Sequence, residues 1–205
     1  MCVGVQTAGF ASQSVRANLC FVLQPGAAVM AGDDEPMIID FSLKNFRSVK
    51  QAQVFSLLAL QTGPHLSQHV AYPAGEHIGV LRSAGIYGTN AAGKSNILLG
   101  FDALRFVACG SGALKEGQPI PCYEPYQLAL ANREAPVRFE IEFVCGDGLR
   151  YLYAIAFNRS AILEEVLDFY PGRQKANLFR RGPDDNWERI RFGSSYKGDI
   201  KRITL

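Results

Sequence analysis

The chain has no apolar run approaching the ~20 residues that a membrane-crossing helix needs. It also lacks any C-x-x-C pair: five cysteines (Cys2, Cys20, Cys109, Cys122, Cys145) are odd in number and scattered. They read as reduced thiols of a cytosol, which excludes a disulfide framework and a zinc ribbon. Histidine is scarce too. His65, His69 and His77 have no carboxylate or cysteine at ligand spacing, so they read as loop residues and not as a metal centre. A secretory signal is missing, because the short apolar run Leu19–Leu23 is broken by Gln24, Pro25 and Gly26 and preceded by a single charge, Arg16. Large charge asymmetry is absent as well, with a formal net charge of +2 over 205 residues. What remains is an ordinary globular composition, 48% hydrophobic and 20% charged, with ample material for a core. A cytoplasmic protein is the expectation.

Residues 1–36 differ from the rest. They are rich in Gly, Ala, Ser and Val, show no periodicity, and close on Gly32-Asp33-Asp34-Glu35-Pro36. They read as a disordered leader, with Met37 as the natural first residue. Alternation then predicts a strand from Ile39 to Asn45 and a second apolar strand over Gln53–Leu60. After a polar loop, Ser83–Tyr87 reads as a short buried strand. Ile97, Leu98, Phe101, Leu104 and Ala108 recur at helical spacing, and Gly110 and Gly112 end the helix near Cys109. From Val137 the pattern changes. Val137–Phe143 and Tyr151–Phe157 alternate around Gly146-Asp147-Gly148, a hairpin signal. Further strands follow at Ile162–Tyr170, Ala176–Arg181 and Trp187–Phe192, giving an antiparallel meander.

Between the buried strand and the helix lies Gly88-Thr89-Asn90-Ala91-Ala92-Gly93-Lys94-Ser95, a complete GxxxxGKS loop. The residue types explain the chemistry. Gly88 and Gly93 let the backbone curl so that N–H groups face a phosphate chain. Ala91 and Ala92 keep the crown small. Lys94 is a point charge for β- and γ-phosphates, and Ser95 supplies a hydroxyl to Mg²⁺. The helix starting near Lys94 adds its positive end. ATP and Mg²⁺ are the cofactors this implies.

Three blocks together resemble the ATPase heads of the RecF, SMC and OLD-like group, and within it bacterial AAA family ATPases of the anti-phage and abortive-infection type. They are MIIDFSLKNFRSVK (37–50), SAGIYGTNAAGKSNIL (83–98) and YLYAIAFNRSAILEEVLDFYPGRQKANLFRRG (151–182). The resemblance implies an α/β fold: a P-loop NTPase of ABC-ATPase-head type, its N-terminal lobe carrying an antiparallel β meander and its C-terminal lobe missing. Residues 37–205 would be a partial head, with a P-loop unit at about 37–110 and a β subdomain at about 120–205. It further implies that the Asn45-Phe46-Arg47-Ser48 turn approaches the nucleotide, with Arg47 or Ser48 as the contact. Full-length relatives would act as homodimers or with an effector subunit, and DNA is a further candidate partner.

Other parts of such a head are not found. No strand of four apolar residues ends in Asp-Glu, and no LSGGQ-like segment exists; Phe192-Gly193-Ser194-Ser195 lacks the pattern. Glu164-Glu165 comes nearest to the acidic motif, but it follows a turn inside the meander and reads as structural. Gln127 falls in the region where such heads carry a metal-sensing glutamine. Residues 171–205 hold nine Lys/Arg against four acids, interleaved with aromatics. This fits either nucleic-acid contact or cations on the solvent faces of strands. Three readings stay open: an ATP-binding part of an ATPase that hydrolyses poorly alone, a small complete P-loop kinase, and a non-catalytic interaction module.

Overall fold

Side-chain alternation along 137–170 becomes a sheet whose apolar face carries a single long helix. The computed structural model describes residues 36–60, 67–73, 78–115, 117–182 and 191–195. Most of the expected leader, His65, His77, Trp187 and residues 196–205 lie outside them. The strands are β1 (Met37–Lys44), β2 (Gln53–Ser56), β3 (Val70–Ala71), β4 (Val80–Leu81), β5 (Val137–Val144), β6 (Arg150–Phe157), β7 (Ile162–Tyr170), β8 (Ala176–Arg181) and β9 (Arg191–Phe192). Helix α1 spans Lys94–Arg105. Seven strands form one sheet in the order β2-β1-β5-β6-β7-β8-β9, every pair antiparallel, while β3 and β4 make a separate pair. The opening strand β1 thus lies beside β5, so the segments before and after residue 110 share one sheet.

The core forms where that sheet meets α1. Phe41 and Leu43 of β1, Phe139 of β5 and Phe157 of β6 pack with Ala103, Leu104 and Val107. Rings run through it in contact: Phe101 stacks on Phe41 at 4.1 Å, Phe41 meets Phe139 at 5.9 Å, and Phe139 meets Phe157 at 5.7 Å. Gly100 lets the helix come this close, because a Cβ there would lie 3.1 Å from the Phe41 ring. The buried stripe of α1 therefore runs through Gly100, Ala103 and Leu104. Leu98, expected on that stripe, is 62% exposed instead. Its position, about 200° around the axis from Gly100, explains this. The helix also ends differently from expectation. After Arg105 it widens into a π turn at Phe106–Gly110 and tightens to a 3-10 turn at Ser111–Ala113, with Ser111 Oγ donating to the Val107 carbonyl. Gly110 and Gly112 are passed through and do not stop it. Cys109 is disulfide-bonded, against the expectation of five thiols, while Cys122 and Cys145 keep their thiols.

At the end of β1 the chain turns sharply, and one buried amide holds the turn. Asn45 has a positive φ of 55° and is 1% exposed. Its Nδ2 donates to the carbonyls of Asn132 (3.0 Å), Ala135 (2.9 Å) and Pro136 (3.2 Å). Its Oδ1 accepts from the Tyr126 amide (3.2 Å) and from Asn132 Nδ2 (2.9 Å). Asparagine suits the position because it tolerates left-handed backbone and offers both donors and an acceptor. Phe46 then enters the core edge-on to Phe139, and reciprocal backbone bonds between Phe46 and Val49 close the turn.

Ion pairs knit both faces of the sheet. Glu164 meets Arg138 and Arg180, Glu165 meets Arg181 at 2.8 Å, and Lys175 meets Asp168 at 2.9 Å. Glu165 is buried and also accepts from Tyr153 Oη at 2.7 Å. Five of the basic residues that raised the nucleic-acid reading are described on β8, β9 and the turn before β8, and three of them are spent in these pairs.

Two outcomes are expected. Asn45→Ala removes the donor from three carbonyls and forces alanine into left-handed backbone, so stability should fall by about 3 kcal/mol. A denaturant midpoint that moves at unchanged slope checks this. The second concerns acid. Hydrogen bonds from Arg138, outweighing burial, hold the Glu164 carboxyl below its ordinary value of 4.5. Its contribution is thus present above pH 4.5 and lost as pH falls through the lowered value. Urea titrations of Glu164→Gln across the acid range should show a flatter decline than the unsubstituted chain.

Candidate functional site

The GxxxxGKS loop sits at the N-terminus of α1, and its geometry follows from two residues. Ala91 and Gly93 both adopt left-handed backbone, φ 63° and 87°. Their alternation curls the chain so that α1 can begin at Lys94, with the Asn96 amide donating to the Gly93 carbonyl at 2.9 Å. Gly93 is required on two counts. Besides its φ, a Cβ there would lie 2.8 Å from Ser48 Oγ. Gly88 is different: its φ is not in the left-handed range, and a Cβ would meet only ordinary contacts at 3.6 Å and beyond. Conformational freedom at Gly88, expected from sequence, is not demanded by the loop's own packing.

Lys94 folds back over the loop. Its Nζ donates to the carbonyls of Gly88 (2.7 Å) and Thr89 (2.6 Å), a cation held by two neutral oxygens. Ser95 is exposed at the helix start. Thr89 takes a second bond, from the Ala92 amide at 3.3 Å, which rounds the crown through Asn90. Beside the loop lies a cavity of about 600 Å³ bounded by Gly93, Lys94, Ser48, Lys50, Phe55 and Tyr87, among others. A smaller one of about 210 Å³ is lined by Ala91 through Asn96. Among the described residues no carboxylate lines either cavity.

The tetrapeptide turn after β1 approaches this loop, but through Ser48. Asn96 Nδ2 donates to Ser48 Oγ at 2.6 Å across 48 residues of sequence. Arg47 points the other way. Its amide donates to the Glu124 carbonyl at 2.8 Å, and its Nε sits 3.3 Å from the Glu124 carboxylate. Arg47 and Gln127 line a different cavity, of about 890 Å³, on the opposite side of the turn. Gln127 there donates to the Pro125 carbonyl and accepts from Arg133 Nε. Glu164 and Glu165 lie on β7, three strands from β1, roughly 14 Å across the sheet. Burial raises the Cys122 thiol to about 11, so this residue against α1 stays protonated and is no nucleophile.

The expected buried strand at Ser83–Tyr87 does not form. Pairing of β4 stops at Leu81, and among the described residues no strand lies beside 83–87. Without a ladder partner the segment runs extended into the loop, and Tyr87 is 94% exposed. Sequence reading named Ser48, with Arg47, as a nucleotide contact but gave Asn96 no role. The asparagine two residues beyond Lys94 was visible, but only the fold shows what it reaches.

A protein-family model described as "AAA domain, putative AbiEii toxin, Type IV TA system" matches residues 83–196, more than half of the 205 residues. The chain belongs to this family. Its match opens at the extended segment feeding the loop and takes in α1 and strands β5 to β9. The AAA-domain chain is therefore a P-loop, nucleotide-binding ATPase-like protein. No curated protein and no solved structure matches it significantly. Among the described residues no helix is long and apolar enough to cross a membrane, and no group of three metal-ligating side chains occurs.

Gly93→Ala should destabilise the AAA-domain chain by about 1–2 kcal/mol from backbone strain alone. Its clash with Ser48 Oγ adds to that. The same change in a Ser48→Ala background should cost less, because only the strain remains. Equal losses in the two backgrounds, read from denaturant midpoints, would refute the contact.

Proposed function

We propose that the chain is the ATP-binding portion of an ATPase with an ABC-type head, of the RecF, SMC and OLD-like group, working in the cytoplasm in DNA maintenance or phage defence. The observation that carries the nucleotide reading is the placement of Gly93 and Lys94 at the head of a 12-residue helix, against the 600 Å³ cavity, with Ser95 lining the smaller one. The larger volume is within the range of small-molecule sites. The residues fit a phosphate chain. Lys94 is bound only to neutral carbonyls, which an anionic phosphate displaces because charge-assisted bonds are about twice as strong. Backbone N–H groups at the helix start add positive potential where the phosphates would lie. Ser95 would hold Mg²⁺, which when bound neutralises phosphate charge. Gly88 to Ala92 would wrap the phosphates, and Ser48 would brace the loop from outside through Asn96.

The head subtype draws support from β1 sharing one antiparallel sheet with the meander, and from the Asn45–Ser48 turn touching the loop. Arg47, paired with Glu124, would need to turn around the strand end to reach the nucleotide, so Ser48 is the better candidate for that contact. Slow hydrolysis fits loop cavities in which, among the described residues, no carboxylate stands to orient an attacking water. A homodimer or an effector subunit that supplies such a group would restore it. A second reading, a non-catalytic module held by a partner, is favoured by Tyr87 and Leu98 standing exposed on either side of the loop.

Calorimetry should detect Mg·ATP binding to the chain, with Lys94→Ala weakening it at least tenfold, and turnover far below one per second. Turnover of several per second, abolished by Lys94→Ala, would show the catalytic set to be complete and overturn the binding-portion reading.

A further inference from the structure

The cavity on the far side of the turn is lined by no residue of the phosphate loop, yet it is built from charged groups. Its volume is about 890 Å³, and three guanidiniums open onto it: Arg47, Arg133 and Arg159. Glu124, Glu134 and Tyr123 share its wall. With two carboxylates against three guanidiniums, it carries a formal surplus of one positive charge.

The three arginines are committed to different degrees. Arg47 is paired with Glu124 at 3.3 Å. Arg133 spends only Nε, donating to the Gln127 carbonyl at 2.9 Å, and its two terminal nitrogens have no partner among the described residues. The Arg159 side chain has neither an ion pair nor a hydrogen bond among them. Its backbone, however, is fixed. The Ile120 amide donates to the Arg159 carbonyl at 2.7 Å, and Asn158 Oδ1 accepts from the Ser160 and Ala161 amides at 2.9 and 2.8 Å. Tyr123 is fixed too, its hydroxyl donating to the Ala135 carbonyl at 2.9 Å. A rigid frame thus presents two unspent guanidinium forks.

On β5, β6 and β8 the cations are neutralised: Arg138, Arg150, Arg180 and Arg181 sit within ion-pair distance of a carboxylate, as does Lys175 before β8. Along these described strands free positive charge does not continue from the cavity as the track that a nucleic-acid strand would need.

We propose that this cavity is a second anion site, distinct from the phosphate loop, that takes a small phosphate monoester. The forks of Arg133 and Arg159 match phosphate oxygens bidentately. Glu124 and Glu134 accept hydrogen bonds from hydroxyl or amino groups on the body of the ligand, and Arg47 supplies the third cation.

The test uses the full chain carrying Lys94→Ala, so that the phosphate loop cannot account for the result and loss of ATP binding leaves the outcome readable. Ribose 5-phosphate is the probe and ribose the control, followed by calorimetry and amide chemical shifts at low salt. One saturable site is expected for ribose 5-phosphate and none for ribose, with shifts at Tyr123 and Ser160. Arg133→Gln and Arg159→Gln should each weaken binding about 10- to 100-fold, as loss of a charged hydrogen bond does. Both side chains are exposed, so circular dichroism should show an unchanged fold. Arg159→Lys, keeping charge without the fork, should recover only part. Unchanged affinity in both glutamine variants would overturn the proposal, and so would shifts confined to Gly88–Ser95. A short single-stranded oligonucleotide that outcompetes ribose 5-phosphate, with a salt dependence of several phosphates, would replace it with a nucleic-acid site.

Discussion

The side chain of Asn45 holds the functional end of this molecule together. Strand β1 arrives there with its apolar residues already committed to the core, and the chain must reverse within a few residues. A buried amide that satisfies three carbonyls, a backbone N–H and a second amide ties the turn to the 126–136 segment. Because such a network is costly to leave half-made, it fixes one conformation. The next three residues then have no choice of direction. Phe46 goes into the core, Arg47 toward Glu124, and Ser48 toward the phosphate loop.

The loop is therefore braced from outside as well as by its own glycine. In many glycine-rich turns the backbone alone sets the shape. Here Gly93 is hemmed by Ser48 and Asn96, and α1 is pressed onto Phe41 through Gly100. The helix that carries Lys94 and Ser95 is thus referenced to β1 at two points, one polar and one aromatic. Geometry at the phosphates depends on the same strand that begins the sheet.

Much of this was legible in the residues. Alternation at 137–143 and 151–157 predicted β5 and β6 closely, because one face is buried and a one-residue slip would expose every phenylalanine. The loop itself was legible because GxxxxGKS needs each residue type for a stated reason. Three features were not. Ser83–Tyr87 reads as a buried strand on composition, but a strand is made by its neighbour, and none among the described residues pairs with it. Leu98 fits an apolar count, yet the stripe was set by Gly100, whose value lies in having no side chain. Arg47 was the more chemical candidate of its turn, but the hydrogen bonds of Asn45 aim it away from the loop and leave Ser48 in contact. Periodicity carries information about faces; it does not carry which polar residue a buried network will turn inward.

Arg47 and Ser48 are joined by one peptide plane, and each lines a different cavity. The plane is rigid, and Arg47 holds it with a φ of 50°, at the margin of what a non-glycine residue tolerates. The guanidinium alone can leave Glu124 by turning about its own side-chain bonds, but a backbone rotation at Arg47 that carried it toward the loop would also swing the hydroxyl that Asn96 grips, so only through the backbone do the two sides of the turn move as the two arms of a balance.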